Sequence, residues 1–447
     1  MALHLDAPVE PGNRLHDFVA GGDETPTPMR IVHVNTYDIA GGAARATFRL
    51  HKGLQKLGHE SLMYVLARNS DDPSVVQYVP SRRLDVRAKR FLRKRYIDRT
   101  WPRADFFRGR EFFSDNRTRY GADLVAQMPA CDIVNLHWIA QFVDYQALFA
   151  TVPDEVPIVW RLADMNAFTG GCHFDNGCGK FKEACGACPK LDSSIDDDLS
   201  RRVWERKRQA FSLRKDDGLH IVTLCRWMRD QVKQSPLLTR FPVTIIPNGI
   251  DLTEFAPRDR CFARDAIGVP SDAKVLLFVA DGAMERRKGF WLLAEAVKSL
   301  GHIENLFLLS VGHGKPQVDE RIRHLHLGPV PYRWLSLAYS AADLFVIPSL
   351  EDNLPNTVLE SMACGTPVVG FAAGGIPDMI RHGTTGLLVP TGDVGGLQLA
   401  ITELLSNPAK CRDMSISSRE VALAEYSLEL QAQRYSTLYQ TLVAARH

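Results

Sequence analysis

The stretch from Ala341 to Ile380, AADLFVIPSLEDNLPNTVLESMACGTPVVGFAAGGIPDMI, constrains the fold more than any other part of the chain. Leu344 to Ile347 is a short apolar run stopped by Pro348, the pattern of a strand buried on both faces of a parallel sheet. A polar turn follows, and Asn356 or Thr357 can cap a helix through Val358, Leu359, Met362 and Ala363. Gly365 and Pro367 end that helix, and Val368 to Phe371 reads as the next strand. Strand, helix and strand of this kind make an open α/β sheet, whose ligands bind beyond the carboxyl ends of the strands. Asp352 then lies in a loop after a strand, and Glu360 on the first turns of the following helix. Free backbone N–H groups at Asn356, Thr357 and Val358 would suit a phosphate. A nearby carboxylate would take ribose or sugar hydroxyls.

A chain of 447 residues exceeds what one core usually supports, which predicts two domains of roughly 200 residues each. No run of about 18 apolar residues is present, so no membrane span is expected. The first residues carry no basic-then-apolar signal segment, which predicts a cytoplasmic location. Residues 1–28 hold Pro8, Pro11, Pro26 and Pro28 with no sustained periodicity and read as a flexible leader.

Ile31, Val32 and Val34 form a first strand, followed by Gly41-Gly42 and a helix burying Ala46, Leu50, Leu54 and Leu57. This is a βαβ start in which Gly41 and Gly42 allow close approach of a phosphate or sugar, or serve only a tight turn. DIVNLHW, from Asp132 to Trp138, is a later strand with His137 at its carboxyl end, a position suited to a ligand contact. Between Arg82 and Arg119 there are 14 Lys or Arg against 5 Asp or Glu, interleaved with aromatics such as Phe91, Tyr96 and Trp101. Such a stretch would lie on an anionic membrane, grip a charged or lipid-linked acceptor, or pack as a helical insertion. Nucleic acid is not expected, because no nucleic-acid module accompanies it.

Four cysteines, Cys172, Cys178, Cys185 and Cys188, fall within 17 residues and end in a Cys-x-x-Cys pair. A structural zinc site, two disulfides, free thiols and an iron–sulfur centre all remain open for them. Farther on, Pro247-Asn248-Gly249 is a turn by composition. The strand VLLFV opens a second βαβ region, and the loop after it carries Arg286, Arg287 and Lys288. Cations at a strand end are placed to neutralise a leaving diphosphate.

Taken together, these residues resemble the family 4 retaining glycosyltransferases of GT-B fold, over residues 29–447 and most tightly over 343–390. The resemblance rests on the acids Asp352 and Glu360 with seven residues between them, Gly365-Thr366-Pro367-Val368-Val369, Gly374-Gly375-Ile376-Pro377-Asp378, and Pro247-Asn248-Gly249-Ile250-Asp251. It implies two doubly wound Rossmann-like domains facing a cleft: 29–216 on the acceptor side, with the basic insertion 82–120 and the cysteine cluster 172–188, and 217–415 for the nucleotide sugar. Terminal helices 416–447 would return to the first domain. By the same resemblance Lys288 and Arg287 hold the diphosphate of a UDP- or GDP-sugar, with amides near Asn356. Glu360 takes the ribose, and Asp352 with Gly374 and Gly375 positions the hexose. No metal or other cofactor is required for the chemistry.

The TGGCH insertion is similar to that of a subset making bacterial exopolysaccharides of the colanic-acid type. This implies a saccharide or lipid-linked acceptor and a peripheral place on the inner face of the cytoplasmic membrane. One departure stands out. Family members usually carry a histidine where this chain has Ala163, beside the retained Asp164. A catalytically weakened sugar-nucleotide or glycan-binding protein is therefore the rival reading. An epimerase or a glycogen-type synthase on the same scaffold is a second.

Overall fold

Apolar runs of four to nine residues become parallel strands here because both of their faces are covered. The structure, a computed structural model, describes residues 27–101 and 112–446. The expected leader therefore lies almost wholly outside the described residues, as do Phe106 and Phe107 of the basic stretch.

The first sheet has seven strands: β1 (Arg30–Tyr37), β2 (Glu60–Ala67), β3 (Val75–Gln77), β4 (Ile133–Leu136), β5 (Ile158–Arg161), β6 (Leu219–Thr223) and β7 (Val243–Ile245), in the order β3-β2-β1-β4-β5-β6-β7. The second has six: β8 (Lys274–Gly282), β9 (Leu306–His313), β10 (Arg323–His326), β11 (Leu344–Ile347), β12 (Val368–Phe371) and β13 (Gly386–Val389), in the order β10-β9-β8-β11-β12-β13. Strand pairing is parallel throughout both sheets. The two α/β domains face one another across a cleft, the GT-B-like arrangement expected. In each sheet the chain direction of winding reverses once, between β1 and β4 and between β8 and β11. Such reversals leave a crevice at the carboxyl ends of the strands, and the two crevices face the same cleft.

Two boundaries differ from expectation. Strands β6 and β7 pair with the first sheet, so the first domain continues past residue 216 to the Pro247-Asn248-Gly249 turn. Strand periodicity marks a strand but does not say which sheet it joins. The terminal helices also part company. The helix Pro408–Glu425 stays on the second domain, packed on the helix Asn356–Ala363. The helix Leu428–Ala444 alone crosses back, against the helix Gly42–Lys56. There Tyr435, Leu438 and Tyr439 join Ile31, Leu50, Leu54 and Ile133 in one buried cluster. Asn135 Nδ2 donates to the Tyr439 hydroxyl oxygen at 2.5 Å, and His59 meets Ser436 at 2.8 Å. The return helix thus completes the first domain's core.

The basic stretch forms a helix, Leu84–Thr100, in which no residue is buried. Val86, Arg90, Arg93 and Ile97 turn toward the domain, and Arg93 pairs with Asp144. Leu84, Phe91 and Leu92 are exposed among basic side chains, as is Tyr96, whose ring lies under the Arg117 guanidinium at 5.6 Å.

Candidate functional site

The loops after β8 and β11, at the second sheet's reversal, bring Lys288 and Asp352 together. Lys288 Nζ lies 2.6 Å from Asp352 Oδ2, and Arg287 Nη1 lies 3.6 Å from the same oxygen. The approach depends on glycine. Gly289, at φ +72°, sits so close to the end of β11 that a Cβ would fall 1.8 Å from the Pro348 carbonyl oxygen. Gly374 packs likewise on the Asp352 backbone, where a Cβ would lie 1.9 Å from its carbonyl oxygen. Gly374 and Gly375 therefore shape the acid's loop from behind, as its support. Burial works to raise the Asp352 pKa, but the charges of Lys288 and Arg287 outweigh it and keep the group below the usual carboxylate range.

Asp352, Lys288 and Arg287 line a cavity of about 360 Å3 between the domains, together with Gly42, Asn356, Thr357 and Glu360. Gly41 and Val358 are not among its lining residues. Val358 is buried and its N–H donates to the Pro355 carbonyl at 3.0 Å, so it is not the free amide expected. The Asn356 side chain is also engaged. It donates to the Gly42 carbonyl at 3.0 Å and accepts from Asn248 at 3.0 Å, while Arg161 donates to Asn248 at 2.5 Å. This chain of hydrogen bonds runs across the cleft from the first domain to the second.

Glu360 is more committed than its sequence position suggests. Its carboxylate accepts from Arg49 of the first domain at 3.3 Å, from Tyr332 at 2.9 Å and from Tyr339 at 3.2 Å. Burial raises its pKa, and the Arg49 charge and the Tyr339 hydroxyl only partly offset this. Arg45 and Arg49 both stack on the Tyr332 ring, at 5.1 and 4.9 Å from its centre. Arg45 also lines the main cavity.

His137 does not reach that cavity. It is buried beneath the strand ends, 2.9 Å from His33 across ring nitrogens, and burial holds its pKa well below the ordinary histidine value. A neutral imidazole in the core is the bland outcome for a histidine at the end of an inner strand. Asp164 lies in a small adjoining pocket. It accepts from Trp138 at 3.0 Å and contacts His173 Nδ1 at 2.5 Å, and the His173 charge overcomes burial to lower its pKa. His173 in turn meets Ser114 at 2.9 Å. An imidazole thus lines the same small pocket as Ala163, supplied by the cysteine loop rather than by position 163.

All nine cysteines are unpaired thiols. Cys172, Cys178, Cys185 and Cys188 border one cavity of about 20 Å3. Gly170 N–H donates to Cys185 Sγ at 3.1 Å, and burial pushes the Cys185 thiol up to about 12. Cys185 and Ala187 hold φ of 38° and 40°, the left-handed region. Among the described residues no three His, Cys, Asp or Glu side chains are disposed to hold a metal ion. No described helix is long and apolar enough to cross a membrane.

Residues 273–407 match the family described as Glycosyl transferases group 1. Among curated relatives, D-inositol 3-phosphate glycosyltransferase 2 of Catenulispora acidiphila is 33% identical over 199 residues, covering 40% of this chain and 46% of that protein. The D-inositol 3-phosphate glycosyltransferase of Actinosynnema mirum is 39% identical over 166 residues, covering 33% and 39%. The chain spans about half the length of the curated relatives it matches. Two solved structures are alike over almost the whole chain. Sucrose-phosphate synthase from Thermosynechococcus elongatus has a TM-score of 0.64 at 19% identity, covering 93% of this chain and 100% of that one. Anabaena HepE in complex with UDP-glucose has a TM-score of 0.61 at 15% identity, covering 92% and 100%. At these identities the likeness shows the two-domain fold.

Proposed function

We propose that the chain is a glycosyltransferase that takes a sugar from a UDP- or GDP-sugar and passes it, with retention, to a saccharide or lipid-linked acceptor in surface or exopolysaccharide synthesis. The observation that carries this reading is the Lys288–Asp352 pair in a cleft between two open sheets, with Glu360 lining the same cavity from the helix Asn356–Ala363. Without a donor, the cation and the acid satisfy each other. A bound donor would exchange that pair for two contacts: its diphosphate against Lys288 and Arg287, and its sugar hydroxyls against Asp352. Negative charge growing on the departing diphosphate then meets cations already oriented in the partly buried cleft. Glu360 would share its carboxylate between ribose and Arg49.

The reading is tested by release of nucleoside diphosphate from a panel of UDP- and GDP-sugars, followed in time, beside calorimetry with UDP and GDP alone. At least one donor is expected to turn over. Tight nucleotide binding with no turnover on any donor would support the weakened binding protein instead, the reading that Ala163 favours.

Two accessory features belong to the same proposal. The cysteine loop would hold one structural zinc. Its support is four thiols bordering one cavity of about 20 Å3, a donor set suited to zinc. The thiols would draw in around the ion. Elemental analysis of anaerobically purified protein is expected to give about one zinc per chain, and the Cys185→Ser, Cys188→Ser double variant to lose it together with stability. Protein without metal would end this part of the proposal.

The helix Leu84–Thr100 would lie on an anionic membrane surface, Phe91 and Leu92 inserting while Arg87, Lys89 and Arg95 face headgroups. Changing these three basic residues to glutamine is expected to weaken binding to anionic liposomes by about 1 kcal/mol for each that lies near the surface. Arg93 is left alone in this test, since it anchors the helix through Asp144. Sedimentation equal to that of the unaltered protein would leave the helix a packing role.

A further inference from the structure

A second cavity, of about 710 Å3, shares Arg287 with the main cleft but opens beyond it. Both domains build its walls. Asp175 and Asn176 come from the cysteine loop, Trp227 and Gln231 from the helix Arg226–Lys233, and Glu351 and Gly374 from the second domain. Glu351 is only 8% exposed, and its Oε2 accepts the Asn176 N–H at 2.9 Å. No hydrogen bond to its Oε1 is present among the described residues. The second carboxyl oxygen is thus left for whatever enters the cavity that Glu351 lines.

Arg287 stands between the two cavities and lines both. Arg287 donates to the Glu351 carbonyl at 2.8 Å, and its guanidinium stacks 4.1 Å from the centre of the Phe174 ring. Burial and the neighbouring Asp175 push the Glu351 pKa up to about 7, so near neutrality its carboxyl both donates and accepts, as a sugar hydroxyl does. The walls carry both signs of charge, Asp175 and the partly ionised Glu351 against Lys182, Arg286 and Arg287, and Arg287 is already engaged by Asp352 and the Glu351 carbonyl. An aromatic face beside a carboxyl and an amide is instead the chemistry that holds an uncharged pyranose ring.

We propose that this cavity is the acceptor port, binding an uncharged pyranoside against Trp227 with hydrogen bonds to Glu351 and Gln231. Glu351 and Asp352 are consecutive in the chain, so a hydroxyl held at Glu351 is presented along the edge where the donor sugar lies. The assignment rests on the glycosyltransferase reading and adds to it the class and the entry side of the acceptor.

Saturation-transfer NMR on the full chain, with the methyl α- and β-pyranosides of glucose, galactose and mannose as probes, tests it. At least one probe is expected to receive saturation, with the signal lost in Trp227→Ala and reduced in Glu351→Gln. UDP or GDP binding by calorimetry should be unchanged in both variants. Absence of any pyranoside signal, or a signal that both variants retain, overturns the assignment. Glu351→Gln keeps the side-chain shape and the acceptor for Asn176, so it decides the matter if Trp227→Ala fails to fold. Failure of both nucleotides to bind the unaltered protein would speak against the glycosyltransferase reading, independently of the pyranoside result.

Discussion

Replacing Lys288 with alanine is expected to slow sugar transfer roughly 100- to 1000-fold, the loss that follows removal of one strong electrostatic donor from a developing anion. The ammonium group lies 2.6 Å from Asp352 at rest, so it is already held inside the cleft and exchanges one anionic partner for another when a diphosphate arrives. Its contribution grows as charge moves onto the leaving group, so the cost falls on turnover more than on affinity for free nucleoside diphosphate. Arg287, at 3.6 Å, still partners Asp352 in the variant, and the fold should survive. Single-turnover kinetics with the donor selected from the panel, beside calorimetry with its nucleotide, separate the two effects. Unchanged transfer in a chemistry-limited assay would remove Lys288 from the mechanism.

Arg49→Met should cost stability on the scale of about 3–5 kcal/mol, because it strands the buried Glu360 carboxylate with two tyrosine hydroxyls as its remaining donors. The double variant with Glu360→Gln should recover much of that loss, which a double-mutant cycle in urea would read directly. The dependence on pH has a definite sign. Burial already raises the Glu360 pKa above its unfolded value, and loss of Arg49 raises it further. A carboxyl of this kind binds its proton more tightly when folded, so its favourable contribution is present at low pH and is lost as pH rises through the folded pKa. The deficit of Arg49→Met should therefore be largest at neutral pH and shrink on acidification. A deficit that does not vary with pH would mean that Arg49 acts through its stacking on Tyr332 alone.

Much of this cleft was legible in the sequence because its parts are local. Lys288 follows one strand and Asp352 another, and both strands announce themselves as apolar runs closed by Gly or Pro. Arg49 was not legible. It meets Glu360 across 311 residues, and on its own helix it reads as one more basic residue among the apolar positions. Glu351 was hidden by its neighbour, since a pair of adjacent acids does not tell which way each side chain points. A strand alternates faces, and the loop after β11 sends Asp352 to one cavity and Glu351 to the other. His137 was misjudged for a related reason: the end of a strand lies near a ligand site, yet its side chain can point into the core. His173 gave no signal of position at all, because the cysteine loop that carries it has no periodicity to read.

The polypeptide passes between the domains twice, at Asn248–Ile250 and at Tyr426–Leu428, and the two passages are bonded to each other. Ile250 N–H donates to the Tyr426 carbonyl at 2.8 Å, and Leu428 N–H to the Ile250 carbonyl at 3.2 Å. A single tether would let one domain wander over the other in any direction. Two strands laced side by side act like a door hinge, leaving one easy rotation and resisting slip and twist. Opening about that line would leave the bonds of Ile250 with Tyr426 and Leu428 in place, and it would have to break the contact of Asn176 with Glu351, which joins the cysteine loop to the second domain.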